Sequence, residues 1–195
     1  MKKLIAMLLA LVMVLALAAC GTKAAPETQQ DAVVEEQETS VSPLILLETV
    51  WALYGEEEKF AIMGGNPEAG VMDAPGSWDM EQTEGLIYSL LIPGEDVLNV
   101  TEAATMIHMM NANTFTCGAV KLTEGTDAAA FAANVHEAIA GNQWICGFPE
   151  KMLIAEVGGC VVIAFGVEQT MTSFHNHLTE AYADAVLLYD EPIVG

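Results

Sequence analysis

The sequence predicts an α+β fold: a two-layer sandwich in which helices pack on one face of a mostly antiparallel, ββαββα-like sheet. Three observations predict it. The first is the pair of apolar runs Met152–Val157 and Cys160–Val167 around Gly158-Gly159. A two-residue glycine turn between apolar runs is a β-hairpin signal. The second is the pair of candidate strands 103–110 and 114–122, with Asn111-Ala112-Asn113 as the turn between them. The third is a set of helical stripes, with apolar residues spaced three and four apart, falling between those strands.

In chain order, Ser42-Pro43 starts a helix: a side-chain cap precedes proline at the first helical position. Leu44, Leu47, Trp51 and Tyr54 form its stripe, and Gly55 ends it. Residues 60–63 suit a short strand. Residues 64–76, rich in Gly, Pro and Asp, read as an irregular loop. A second helix is expected over Glu81–Leu91, stopped by Pro93-Gly94. Thr126-Asp127 caps a third, with Phe131, Val135 and Ile139 recurring every fourth residue and Gly141-Asn142 closing it. In the hairpin, the glycine turn sets Val157 opposite Cys160, Ala155 opposite Val162 and Leu153 opposite Ala164. Both hairpin faces are almost wholly apolar, so the pair is expected to be central and covered. Residues 170–183 carry a helical stripe through Met171, Phe174, Leu178 and Tyr182, and 185–189 suit a closing strand.

The chain divides into three parts: 1–19, 20–42 and 43–195. It opens Met1-Lys2-Lys3, followed by sixteen small and apolar residues from Leu4 to Ala19. A basic start and a short apolar run describe a secretory signal peptide. A membrane-crossing helix needs about 20 apolar residues. The run ends Leu17-Ala18-Ala19-Cys20-Gly21, which resembles the lipobox of bacterial lipoproteins. That resemblance implies cleavage before Cys20 and lipid on its sulfur, with the membrane as a partner. Two acyl chains suffice for stable anchoring where one does not.

Cleavage removes two of the six lysines. The remaining four face 27 acidic residues, and no arginine occurs. A mature net charge of −23 opposes binding to nucleic acid or anionic headgroups. Residues 21–42 hold no aromatic residue and cannot bury enough to offset their ordering entropy. They read as an acidic tether with a reach of ~25 Å. Residues 43–195 carry all three tryptophans and suit one domain.

Two further stretches, Met109–Gly118 and Trp144–Glu150, together with the lipobox, resemble a family of uncharacterised extracytoplasmic lipoproteins from anaerobic Firmicutes. The resemblance covers about residues 44–190. It implies the compartment and a single domain, and carries over no activity and no site residue.

Besides Cys20, the mature chain holds Cys117, Cys146 and Cys160. Three thiols leave at least one unpaired in a monomer. Cys117 and Cys160 fall among apolar strand residues, where a free cysteine acts as a small hydrophobe. Cys146 is the candidate reactive thiol. The Trp144–Pro149 segment lacks the second thiol of a Cys-x-x-Cys pair, since Pro149 occupies its place. His175 and His177 resemble a metal pair, but on a helix they point about 200° apart. His108 among Met106, Met109 and Met110 would suit Cu(I), although a Met-rich core segment is the commoner reading. No Gly-x-Ser-x-Gly elbow appears, and Met63–Pro67 lacks the ending of a phosphate loop.

What remains is a surface. Trp78 and Asn66 lie in or beside the 64–80 loop. Asn111, Asn113, Trp144 and Phe148 lie near element ends, where binding residues often sit. Asparagine also suits turns for its dihedrals alone. The expectation is a lipid-anchored extracytoplasmic protein acting as a non-enzymatic binding module for an envelope protein, glycan or small molecule. No cofactor and no catalytic set are indicated. The alternatives are a thiol-dependent enzyme centred on Cys146 and a metal-binding accessory protein.

Overall fold

The structure is a computed structural model and describes residues 40–194. The expected signal peptide, Cys20 and the tether through position 39 lie outside the described residues.

The domain is α+β, built on one antiparallel sheet. Helix α1 (Pro43–Ala52) leads into three short strands, β1 (Ile62–Gly64), β2 (Val71–Met72) and β3 (Gly76–Ser77). Helix α2 (Glu84–Ser89) follows, then the long strands β4 (Val100–His108) and β5 (Phe115–Leu122). Helix α3 (Ala128–Ala140) precedes β6 (Lys151–Val157) and β7 (Cys160–Gly166). Helix α4 (Glu168–Ala181) and β8 (Val186–Pro192) complete it. The strand order is β2-β1-β4-β5-β7-β6-β8, with β3 paired to β4 beside β1. Among the described residues no helix is long and apolar enough to cross a membrane.

Local chemistry accounts for most boundaries. The Ser42 hydroxyl accepts from the Ile45 amide at the start of α1, and Asp127 accepts from Ala130 at the start of α3. The β6–β7 hairpin has the register its glycine turn dictates: Val157–Cys160, Ala155–Val162 and Leu153–Ala164 are opposed. Gly158 and Gly159 take φ of 54° and 78°, as a turn matched to strand twist requires.

The 64–76 segment is more ordered than its composition suggests. It contributes β2 and β3 because Gly64 and Gly76 let two backbones touch. A Cβ on Gly64 would lie 2.0 Å from the Gly76 nitrogen. The expected strand 103–110 stops at His108, whose Nδ1 accepts from the Met110 and Asn111 amides and turns the chain. The domain also begins before position 43, because the Val41 amide donates to the Gly158 carbonyl at 2.9 Å.

The helices occupy both faces of the sheet, not one. Alternation along β7 makes this plain. Cys160, Val162 and Ala164 pack with α1 and α4, whereas Val161, Ile163 and Phe165 pack with α2 and α3. Adjacent strand residues point to opposite faces. A hairpin apolar on both faces therefore needs cover on both, and among the described residues the four helices divide two and two. At one edge, β8 carries Asp190, Glu191 and Pro192, residues that discourage further strand pairing.

Candidate functional site

A cleft with a volume of about 550 Å³ opens at the end of the sheet remote from the Gly158-Gly159 turn. Its floor is one cross-strand row. Ile107 on β4 is opposite Thr116 on β5, which is opposite Phe165 on β7. All three point to the face covered by α2 and α3.

One wall is the end of α2: Tyr88, Ser89 and Leu91. Helix α2 can lie this close because Gly118 has no side chain. A Cβ there would sit 2.4 Å from Leu90 Cδ1. The chain then reverses at Leu91, whose φ of 56° is uncommon for a residue with a side chain.

The other wall is the loop after α3, from Asn142 to Cys146. Trp144 anchors it. The indole packs against Phe165 at 5.4 Å and meets Phe148 edge-on at 6.4 Å. Its Nε1 is buried and has no hydrogen-bond partner among the described residues. Asn113 Nδ2 donates to the carbonyls of both Cys146 and Gly147, each at 2.8 Å. Asn111 lies beside the same turn. Gly147 has a φ of 82°, and a Cβ on it would come within 2.8 Å of Asn111 Nδ2. Asn111 Oδ1 also accepts from the Asn113 amide, which fixes the 111–113 turn.

The sequence-derived candidates therefore separate. Asn113, Trp144 and Cys146 line the cleft. Asn111 and Phe148 brace its loop from behind. Trp78 does not join them. It is buried in the core with its ring against Gly85 of α2, and its Nε1 donates to the Gln82 carbonyl at 3.0 Å. Asn66 is likewise buried, and its Oδ1 accepts from the Asp79 amide. Sequence reasoning missed Tyr88, Asn142, Gln143 and the floor. Tyr88 carried one signal: an aromatic residue outside the buried stripe of its helix.

The thiols differ sharply. Cys117 and Cys160 are buried, and Cys146 is exposed. Burial pushes the Cys117 thiol well above its ordinary range and the Cys160 thiol up to about 11. Cys160 is also covered by Val41, whose carbonyl lies 3.2 Å from its sulfur. Among the described residues no histidine, lysine or carboxylate lines the cleft beside Cys146. A nucleophilic thiol needs such a partner for activation.

The histidines are dispersed. His175 pairs with Asp190 at 2.9 Å and His136 with Glu191 at 2.7 Å. His177 meets Tyr54 with its ring tilted, centroids 4.4 Å apart, and lies 3.4 Å from Glu58. The two histidines of α4 thus face different neighbours. His108 Nδ1 is occupied by its own turn. Among the described residues, no group of three or more His, Cys, Asp or Glu could hold a metal ion.

No family model matches the chain, and no curated protein or solved structure matches it either.

Proposed function

We propose that the chain is a bacterial lipoprotein held by lipid on Cys20 to the extracytoplasmic face of a membrane, and that its domain is a non-enzymatic binding module. The observation that carries the binding reading is the convergence of two distant stretches on one cleft. Residues 109–118 and 144–150 carry the family resemblance, and they meet through Asn113 at Cys146 and Gly147. Most of the cleft is built by strand ends, turns and loops on a rigid sheet, a common arrangement for binding.

The start of the described chain suits this role. Val41 is pinned to Gly158, at the opposite end of the β6–β7 hairpin from Phe165. Strands of this length span ~20 Å. The described chain therefore begins at the end of the sheet remote from the cleft.

A pull-down from solubilised envelopes tests the reading. The full chain should retain a component that the Trp144→Ala variant releases, and Cys20→Ser should leave the membrane fraction. Equal retention by wild type and Trp144→Ala would reject the cleft as the binding site. A Cys20→Ser chain that stays membrane-bound would reject the lipid anchor.

One observation favours the thiol-dependent alternative: Cys146 is exposed and lies in the cleft. The lack of a lining base weighs against it. Ligand retention by Cys146→Ser, with native thiol labelling no faster than a model thiol, would remove it.

A further inference from the structure

We infer that the cleft takes a neutral oligosaccharide, an inference that rests on the binding-module reading and names its ligand class. Charge restricts the ligand first. The chain carries 27 acidic residues and a net charge of −21, yet among the described residues no charged side chain lines this cleft. The surrounding negative field disfavours an anionic ligand. A hard cation needs several oxygen ligands, usually with carboxylates among them, and the lining offers none. What fits is uncharged.

The lining then separates one neutral class from another. Trp144 and Tyr88 supply aromatic surface, and Tyr88 is 81% exposed. Beside them stand Asn142, Gln143 and Ser89, with the Asn113 carboxamide oxygen on the same side chain that clamps the loop. An amide side chain offers donors and acceptors together. A purely apolar ligand would cover these groups and leave them without partners, which is costly. A pyranose ring answers both features: its C–H face lies against an aromatic ring, while its hydroxyls donate and accept at the rim. The volume of about 550 Å³ lies within the ordinary range of small-ligand pockets, and the cleft is open to solvent. A chain of sugars can therefore lie across it.

The test uses the full-length chain in neutral detergent and isothermal titration. The probes are neutral tetrasaccharides of glucose, N-acetylglucosamine, galactose and mannose, the anionic tetragalacturonate, and an apolar tetrapeptide amide with an acetylated N-terminus. The expected result is saturable binding of at least one neutral sugar, little changed by salt, with no binding of tetragalacturonate. Trp144→Ala should weaken it by about tenfold or more. Gln143→Ala, at an exposed position where truncation should leave the fold intact, should weaken it severalfold. If the apolar peptide binds in a Trp144-dependent way and no neutral sugar does, the carbohydrate inference falls and the binding-module reading stands. If none of the probes binds a chain whose near-ultraviolet dichroism is native, the inference is overturned, and the envelope pull-down judges the broader reading separately.

Discussion

Asn113 holds the carbonyls of Cys146 and Gly147 with a single amide nitrogen, 2.8 Å from each, across more than thirty residues of chain. This contact joins the turn between β4 and β5 to the loop before β6. Replacing Asn113 with alanine removes both bonds, which lie open to solvent, so the expected loss of stability is only about 1 kcal/mol. The loop should loosen more than the domain destabilises. Amide exchange should accelerate over 144–148 and not in β5 or β7. Unchanged exchange in the loop would contradict the clamp.

Gly147 shares that turn and has a φ of 82°. Gly147→Ala adds a side chain in left-handed backbone and pushes against Asn111. The expected cost is about 1–2 kcal/mol by urea denaturation. Gly125 has a similar φ of 84°, but a Cβ there meets nothing within 4 Å. Gly125→Ala should therefore cost less than Gly147→Ala, and the reverse order would reject the steric part of this account.

Two tryptophans should behave differently on truncation. Trp78 is 5% exposed and packed in the core, so Trp78→Ala should cost about 3–5 kcal/mol. Trp144 is half-buried on a loop, and Trp144→Ala should cost less while abolishing ligand retention. Equal losses of stability would mean that Trp144 is a core residue and not a cleft wall.

The buried thiols predict an alkaline limit. Burial raises the Cys160 pKa from 9.0 to about 11 and that of Cys117 well above 9.0. The folded domain therefore keeps protons that the unfolded chain gives up. The stability this contributes is complete below pH 9.0 and is lost as pH rises from there through about 11 for Cys160. The melting temperature should fall across that window, and Cys160→Ala should lessen the fall. At neutral pH a thiol reagent should modify Cys146 within the native state, and Cys117 and Cys160 only on unfolding. A flat profile, or early labelling of Cys160, would contradict the burial.

Much of the architecture can be read in the sequence because it is local. Gly158-Gly159 dictates a hairpin register, Asp127 caps α3, and the 3.6-residue stripes locate α1, α3 and α4. The division of helices between two faces was legible in principle. Apolar residues at both parities of β7 require two covers, yet a one-face sandwich was expected. Short strands β2 and β3 are illegible because they depend on the contact of Gly64 with Gly76. The site was half legible. Asn113, Trp144 and Cys146 stood out as residue types at element ends. The floor of Ile107, Thr116 and Phe165 arises only from register across three strands. Trp78 misled because an aromatic residue beside a glycine-rich loop looks exposed, while Gly85 allows α2 to bury it.

Site-specific photocrosslinking in growing cells shows whether the cleft meets a ligand in place. A benzophenone side chain placed at position 143, on the cleft rim, should capture an envelope component. The same group at position 98, where Leu98 is 79% exposed away from the cleft, should not. An adduct at 143 alone is the predicted result. Adducts at neither position, or equally at both, would contradict a binding module that works through this cleft.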